Sequence, residues 1–205
     1  MAKVALMATM GDAESQSTLA YWYLSGKGVV KNVVEAARWY RLAAIQGYAP
    51  AQNLMGTLCA GGVGVSKDPV EAVRWYRLAA NQGFSPAQFD LGVAYLDGRG
   101  LPQDDGQAAQ WVHLAADQGF TGAEKTLGLL YILGRGVSQN TNEGMRLLMS
   151  AATLGDAEAM AFVGDAYERG AFVDKNVEKA VKLYRRAASQ GNDDAKQALQ
   201  RLGLQ

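Results

Sequence analysis

The feature that most constrains this chain is a repeat of 36 residues that runs without a gap through its 205 residues. An alanine pair followed three residues later by a glycine returns once in each repeat. The glycines of this column are Gly47, Gly83, Gly119, Gly155 and Gly191. A chain with such a period is expected to form an array of similar supersecondary units, because each unit buries its apolar face only against its neighbours.

Each repeat divides into two stretches in which apolar residues recur at helical spacing. In the third repeat, Ser85-Pro86 predicts a helix start, with Ser85 as the cap and proline in the first turn. Gly98 predicts the end of that helix, because glycine readily adopts the left-handed conformation found there. The second helix of every repeat should follow a capping residue: Asn32, Asp68, Asp104, Asn140 and Asn176. The sequence therefore predicts an all-α solenoid of helix–turn–helix repeats.

The register of the repeat assigns the whole chain, residues 1–205, to one solenoid domain. Residues 1–11 match the end of a second helix and form a half-repeat, while residues 192–205 form a closing C-terminal helix. The five full repeats span 12–47, 48–83, 84–119, 120–155 and 156–191. A start in mid-repeat is typical of a fragment of a longer array.

Charge and composition disfavour several functional classes. The chain carries 20 basic and 20 acidic residues, so it lacks the basic excess that drives binding to nucleic acid. No stretch approaches the roughly 18 apolar residues of a membrane helix. The N-terminal residues are also too weakly apolar for a secretory signal. We therefore expect a cytoplasmic protein that binds neither nucleic acid nor membrane.

The chain offers few residues for catalysis. His113 is the only histidine and falls in a column that should face outward, whereas Cys59, the only cysteine, falls in a column of packed tyrosines. With one residue of each type, no His/Cys zinc site can be assembled. The glycine-rich stretch 61–67 lacks the spacing of a phosphate-binding loop and returns in each repeat as the interhelix turn. We expect no enzymatic activity and no cofactor.

The segments Ala72–Gly83 (AVRWYRLAANQG) and Leu91–Gly100 (LGVAYLDGRG) carry a family resemblance. At these residues the chain resembles the Sel1-like repeat family, which is related to the tetratricopeptide repeats. The resemblance covers essentially the whole chain. It implies a right-handed superhelix that acts as an adaptor or scaffold in protein complexes, often in bacteria. Phe172 departs from the pattern, since it stands where the loops have a second glycine, and we expect the fifth loop to take a different shape.

Function is expected on the first helices of the repeats, because these line the concave side of such a superhelix. The positions not used for packing should point into the groove. They are Glu14, Ser17, Tyr21, Leu24, Asn53, Thr57, Phe89, Val93, Leu96, Lys125, Leu129, Ile132, Asp165, Glu168 and Arg169. Phe89, Val93, Leu96, Leu129 and Ile132 form a candidate exposed apolar patch, which is typical of a partner site.

Two functions remain open at this point. We predict a monomeric, non-enzymatic scaffold that binds a peptide or protein segment in the groove. The alternative is a structural spacer or a self-assembly module of a longer repeat protein.

Overall fold

The computed structural model describes residues 1–204, which contain twelve helices and no strand. The contacts divide the chain into two compact units, Met1–Asp104 and a second unit that begins at Asp105. The helices of the first unit are α1 (Ala2–Thr9), α2 (Ala13–Ser25), α3 (Val33–Ile45), α4 (Ala49–Gly61), α5 (Pro69–Ala80) and α6 (Ser85–Asp97). Each helix packs against the next one along the chain.

The second unit continues the same alternation of first and second helices. Its helices are α7 (Asp105–Ala116), α8 (Thr121–Leu133), α9 (Thr141–Thr153), α10 (Ala157–Arg169), α11 (Val177–Ser189) and α12 (Asp193–Arg201). These boundaries follow the predicted register, so the all-α repeat architecture is confirmed.

Side-chain caps of the second helices are present as predicted at Asn32, Asp68, Asn140 and Asn176. The Asn32 side-chain oxygen accepts from the backbone N–H groups of Val34 and Glu35, both at 3.1 Å. Asp68 caps α5 in the same way. The prediction that Ser85 caps α6 is wrong, because Ser85 is already the first helical residue and no side chain caps this helix.

Glycines inside the first helices allow close packing against the second helices, as expected. A Cβ atom at Gly56 would lie 2.5 Å from the Tyr76 ring, and one at Gly164 would lie 2.8 Å from the Tyr184 ring. These two tyrosines are almost fully buried. The absence of a side chain at the two glycines therefore makes room for the largest buried groups of the fold.

Buried glutamines join consecutive repeats. Gln52 on α4 donates at 3.0 Å to the carbonyl of Ala44 in the last turn of α3, which also accepts from the backbone N–H of Gly47 at 3.0 Å. Gln52 also accepts from Gln82 at 2.7 Å, and Gln16 forms the equivalent pair of bonds one repeat earlier. In the second unit this column holds Glu124, whose Oε2 atom is buried without a hydrogen-bond partner.

The loop of the fifth repeat keeps the conformation of the others. Gly64 has φ +70°, in the left-handed region, and a Cβ there would collide with the backbone carbonyl of Val33. Phe172 occupies the equivalent position with φ +65°. The expectation of a different loop shape is therefore wrong, and the aromatic residue adopts a backbone conformation that is costly for any residue except glycine.

Candidate functional site

The predicted groove residues fall into two sets, one in each unit. Tyr21, at 52% exposure, and Thr57 are exposed in the first unit, as is Arg169 in the second. Glu14 is also exposed. The half-buried groove residues are Ser17, Leu24, Phe89, Val93, Leu96, Lys125, Leu129, Asp165 and Glu168. The predicted apolar patch draws on both units, and its existence as one surface stays a prediction.

Two of the groove positions are not exposed. Asn53 is 8% exposed and Ile132 is 7% exposed, so the expectation that they point freely into a groove is wrong. Ile132 belongs to the core of the second unit, together with Leu148 of α9. It packs deeply because Gly144 stands in a column that otherwise contains alanine, and a Cβ at Gly144 would lie only 2.6 Å from Ile132 Cγ1.

A cavity of about 570 Å³ lies between α4 and α6, over α5, in the first unit. We call it the α4–α6 cavity. Ala72 and Tyr76 of α5 and Val93 of α6 provide apolar surface, and Asp90 of α6 provides a carboxylate. Cavities of this size with a few polar groups are typical of binding sites.

Asp90 is half-buried on the wall of this cavity. Burial raises the pKa of its carboxyl above the ordinary value, and a hydrogen bond with the Asn53 side chain opposes this rise only in part. Within residues 1–204, no basic side chain forms an ion pair with Asp90. Arg99 also lines the cavity, but its guanidinium is engaged by Asp97 at 2.8 Å. The carboxylate therefore faces the cavity without a counter-ion.

The side chain of Asn53 is enclosed behind Asp90. Its Oδ1 atom has no contact with solvent and no hydrogen-bond partner. Buried amide oxygens without a partner are rare, because the lost hydration is not replaced. Thr57, one turn later on α4, donates to the backbone carbonyl of Asn53 at 3.2 Å.

Tyr76 forms the floor of this site. Burial raises the pKa of its phenol, a hydrogen bond with Thr57 lowers it, and the nearby Asp90 raises it further. Asn53, Thr57, Tyr76 and Asp90 thus bring four polar groups from three helices together. We call these four residues the polar cluster.

A second cavity, of about 390 Å³, lies between α10 and α12, over Tyr184 of α11. Its two arginines are both paired with carboxylates. Arg201 donates to both carboxylate oxygens of Glu168, at 2.7 and 2.9 Å, and the Tyr184 hydroxyl donates to Glu168 at 2.8 Å. Arg169 pairs with Asp165 at 2.8 Å. Two predicted groove residues, Asp165 and Arg169, line this cavity, whereas Glu168 supports it through Arg201 and Tyr184.

Comparison with protein families identifies the repeat. The model of the Sel1 repeat matches residues 13–48, 49–84, 85–120, 126–156 and 157–192. The chain belongs to the Sel1 repeat family. The fourth match begins at 126 and so omits the start of α8, where Glu124 and Lys125 depart from the pattern of the other repeats.

Solved structures of Sel1 repeat proteins are similar to this chain. A Sel1 repeat protein from Oxalobacter formigenes is 35% identical with a TM-score of 0.86, over 92% of this chain and 75% of that one. A protective antigen of uropathogenic Escherichia coli is 33% identical with a TM-score of 0.86, over 94% of this chain. This chain spans only 41% of that antigen.

The chain is also similar, at lower identity, to a structure whose function is named. An immunity protein from Pseudomonas aeruginosa is 25% identical with a TM-score of 0.61, over 89% of this chain and 67% of that one. No curated protein matches the chain. Sel1 repeat proteins are generally protein-interaction scaffolds without enzymatic activity.

One residue of the candidate site, Asp90, was not predicted from the sequence. It was not among the predicted groove residues, although it differs in charge from the other residues of its column. The other members of that column are uncharged: Thr18, Leu54, Thr126, Phe162 and Ala198. A carboxylate in a column of otherwise uncharged residues is the signal that comparison of the repeats could have used.

Cys59 and His113 have the structural roles expected of them in a Sel1 repeat. Cys59 is fully buried, and burial raises the pKa of its thiol to about 11, so it is a poor nucleophile at neutral pH. His113 is exposed, and its Nδ1 atom lies 3.0 Å from the Asp117 carboxylate. Residues 1–204 contain no group of three potential metal ligands, and none of their helices combines the length and apolarity needed to cross a membrane.

Proposed function

We propose that this Sel1 repeat protein is a non-enzymatic scaffold that binds a peptide or protein segment along its first helices, with the α4–α6 cavity as a principal contact. The observation that carries the proposal is the Asp90 carboxylate on the wall of an open cavity, beside Asn53 and at a position where the other repeats have uncharged residues. Residues required only for stacking would be expected to recur in every repeat.

The similarity to an immunity protein supports a role in protein binding. The half-buried Val93, Phe89 and Leu96 in the same unit add apolar surface beside the cavity. Such a combination of apolar surface and convergent polar groups is typical of a partner site.

Site-specific photo-cross-linking in cells tests the proposal. A benzophenone amino acid is placed at Val93, which lines the α4–α6 cavity, and in a matched variant at Arg74, which is exposed on α5. We expect a discrete cross-linked protein partner from position 93 and none from position 74. Cross-links of equal yield from both positions would contradict the proposal. Products with twice the mass of the chain would instead support the self-assembly alternative.

A further inference from the structure

The Asp90 carboxylate differs from the half-buried carboxylates at the cavity between α10 and α12. In the cavity between α10 and α12, the cations Arg169 and Arg201 each have a carboxylate partner within 3 Å. Asp90 has no cationic partner in residues 1–204, although it is half-buried. An ionised group in such a place lowers stability unless a partner compensates it.

The Asn53 side chain does not replace a cationic partner. It is more than nine-tenths enclosed and hydrogen-bonds to Asp90, but the amide is neutral and leaves the charge of the carboxylate without compensation. A carboxylate accepts several hydrogen bonds, and Asp90 lines the cavity, so a donor in the cavity can reach it. The negative charge of Asp90 favours a cationic donor.

Stacking of the repeats does not require either polar group. The column of Asn53 contains Ser17, Phe89, Lys125 and Ala161 in the other repeats, so side chains of very different chemistry fit there. The column of Asp90 contains apolar residues or threonine. The combination of an amide and a carboxylate occurs once, at the wall of the α4–α6 cavity.

The basic residues at the edge of the cavity do not supply the donor. Arg99 lies beyond the end of α6, and Asp90 precedes the last residue of that helix by seven positions, which is roughly 10 Å along the axis. Arg99 is paired with Asp97, and Lys67, in the loop before α5, forms no ion pair within the described part of the chain. The inner wall at Asp90 is therefore acidic, while the edge is basic.

We propose that the α4–α6 cavity receives an arginine or lysine side chain from a protein partner, with the Asp90 carboxylate as its counter-ion. This inference rests on the proposed function and specifies the chemistry of the partner. The apolar surfaces of Ala72, Val93 and the Tyr76 ring would cover the aliphatic part of the side chain. A guanidinium can donate two hydrogen bonds to one carboxylate.

An NMR titration of the full chain with two tripeptides, whose blocked ends carry no charge, tests the inference. The probes are Ac-Gly-Arg-Gly-NH2 and Ac-Gly-citrulline-Gly-NH2, in which a neutral urea of nearly the same shape replaces the guanidinium. We expect the arginine peptide to shift the side-chain amide signals of Asn53 and to bind roughly 10-fold or more tightly than the citrulline peptide, because only the former pairs with a carboxylate. Asp90→Asn should remove this preference.

Glu35→Gln is the matched control, since it removes one negative charge from α3, a second helix of the same unit, and Glu35 neither lines the α4–α6 cavity nor belongs to the predicted groove. It should leave the preference for arginine unchanged. Equal binding of the two peptides would overturn the cationic assignment and leave the groove as a peptide site. The assignment is also overturned if neither peptide binds, or if Asp90→Asn retains the preference. Cross-linking from Val93 then decides the broader function separately.

Discussion

Asp90 allows a direct test of whether the α4–α6 cavity holds an uncompensated charge. Its carboxyl has a pKa above the ordinary value of 3.8, because burial disfavours the charged form more than the hydrogen bond with Asn53 favours it. The folded protein therefore binds this proton more tightly than the unfolded chain does. The stability that protonated Asp90 contributes is complete below pH 3.8 and is lost as the pH rises through the folded pKa. At neutral pH the carboxylate destabilises the fold.

The substitution Asp90→Asn removes the charge and keeps the size and hydrogen-bonding capacity of the side chain. Substitutions that leave a buried polar group without compensation change stability by about 1–3 kcal/mol. Asp90 is half-buried and keeps one hydrogen bond, so the lower end of this range applies. We expect the variant to be more stable than the parent protein by about 1 kcal/mol at pH 7 and equally stable at pH 3.

Urea unfolding followed by circular dichroism, at intervals between pH 3 and pH 8, measures this difference. Repeat arrays can unfold in steps, so the comparison requires equal denaturant slopes for the two proteins. Glu35→Gln should show no comparable gain at pH 7, because Glu35 pairs with Arg38. A variant that is less stable than the parent at pH 7, or a gain of the same size at every pH, would refute the reasoning, because either result means that the charge of Asp90 is compensated in the folded protein.

Three further substitutions test the packing of the repeats by the same unfolding assay. Gln52→Met removes two hydrogen bonds, so it should lower stability by about 2 kcal/mol, whereas Gln82→Ala, which removes one of them, should cost about 1 kcal/mol or less; equal losses would contradict this account. Gly64→Ala should cost more than about 2 kcal/mol, since it adds left-handed strain to a steric collision, and a neutral effect would be inconsistent with the collision. Phe172→Gly should change stability by less than about 1 kcal/mol, because relief of strain is offset by the greater freedom of the unfolded chain; a large loss would show that the aromatic ring itself stabilises the loop.

The sequence was sufficient to predict the helices because the signals for them recur in every repeat. The starts of the second helices follow from capping residues such as Asn32 and Asp68, whose bonds the structure contains. The prediction of where α6 starts was less accurate, because its N-cap residue is Phe84, which has no side-chain acceptor. That helix is positioned by packing of its neighbours, and packing leaves no short sequence pattern.

The candidate site was harder to predict because exposure depends on residues in other columns. Ile132 shares its column with Leu24 and Leu96, which are of similar size. It is buried because Gly144 on the facing helix lacks a side chain. Asn53 is enclosed beside Asp90 of the next repeat. Single columns indicate which face of a helix a residue occupies, but its burial is set by pairs of columns on neighbouring helices.

A buried polar group that lacks a compensating partner can have two origins in a repeat protein, and the chain contains an example of each. Glu124 stands in the column where Gln16, Gln52 and Gln88 donate to a helix-end carbonyl, so its buried oxygen is a defect in a structural pattern. Asp90 stands in a column with no polar role and adjoins a cavity, so its missing partner can come from outside the chain. Selection for binding tolerates such a group at the expense of stability. Asp90→Asn should therefore gain stability and lose the preference for arginine together. If stability rises while the preference is unchanged, the carboxylate is only a tolerated irregularity of the repeat.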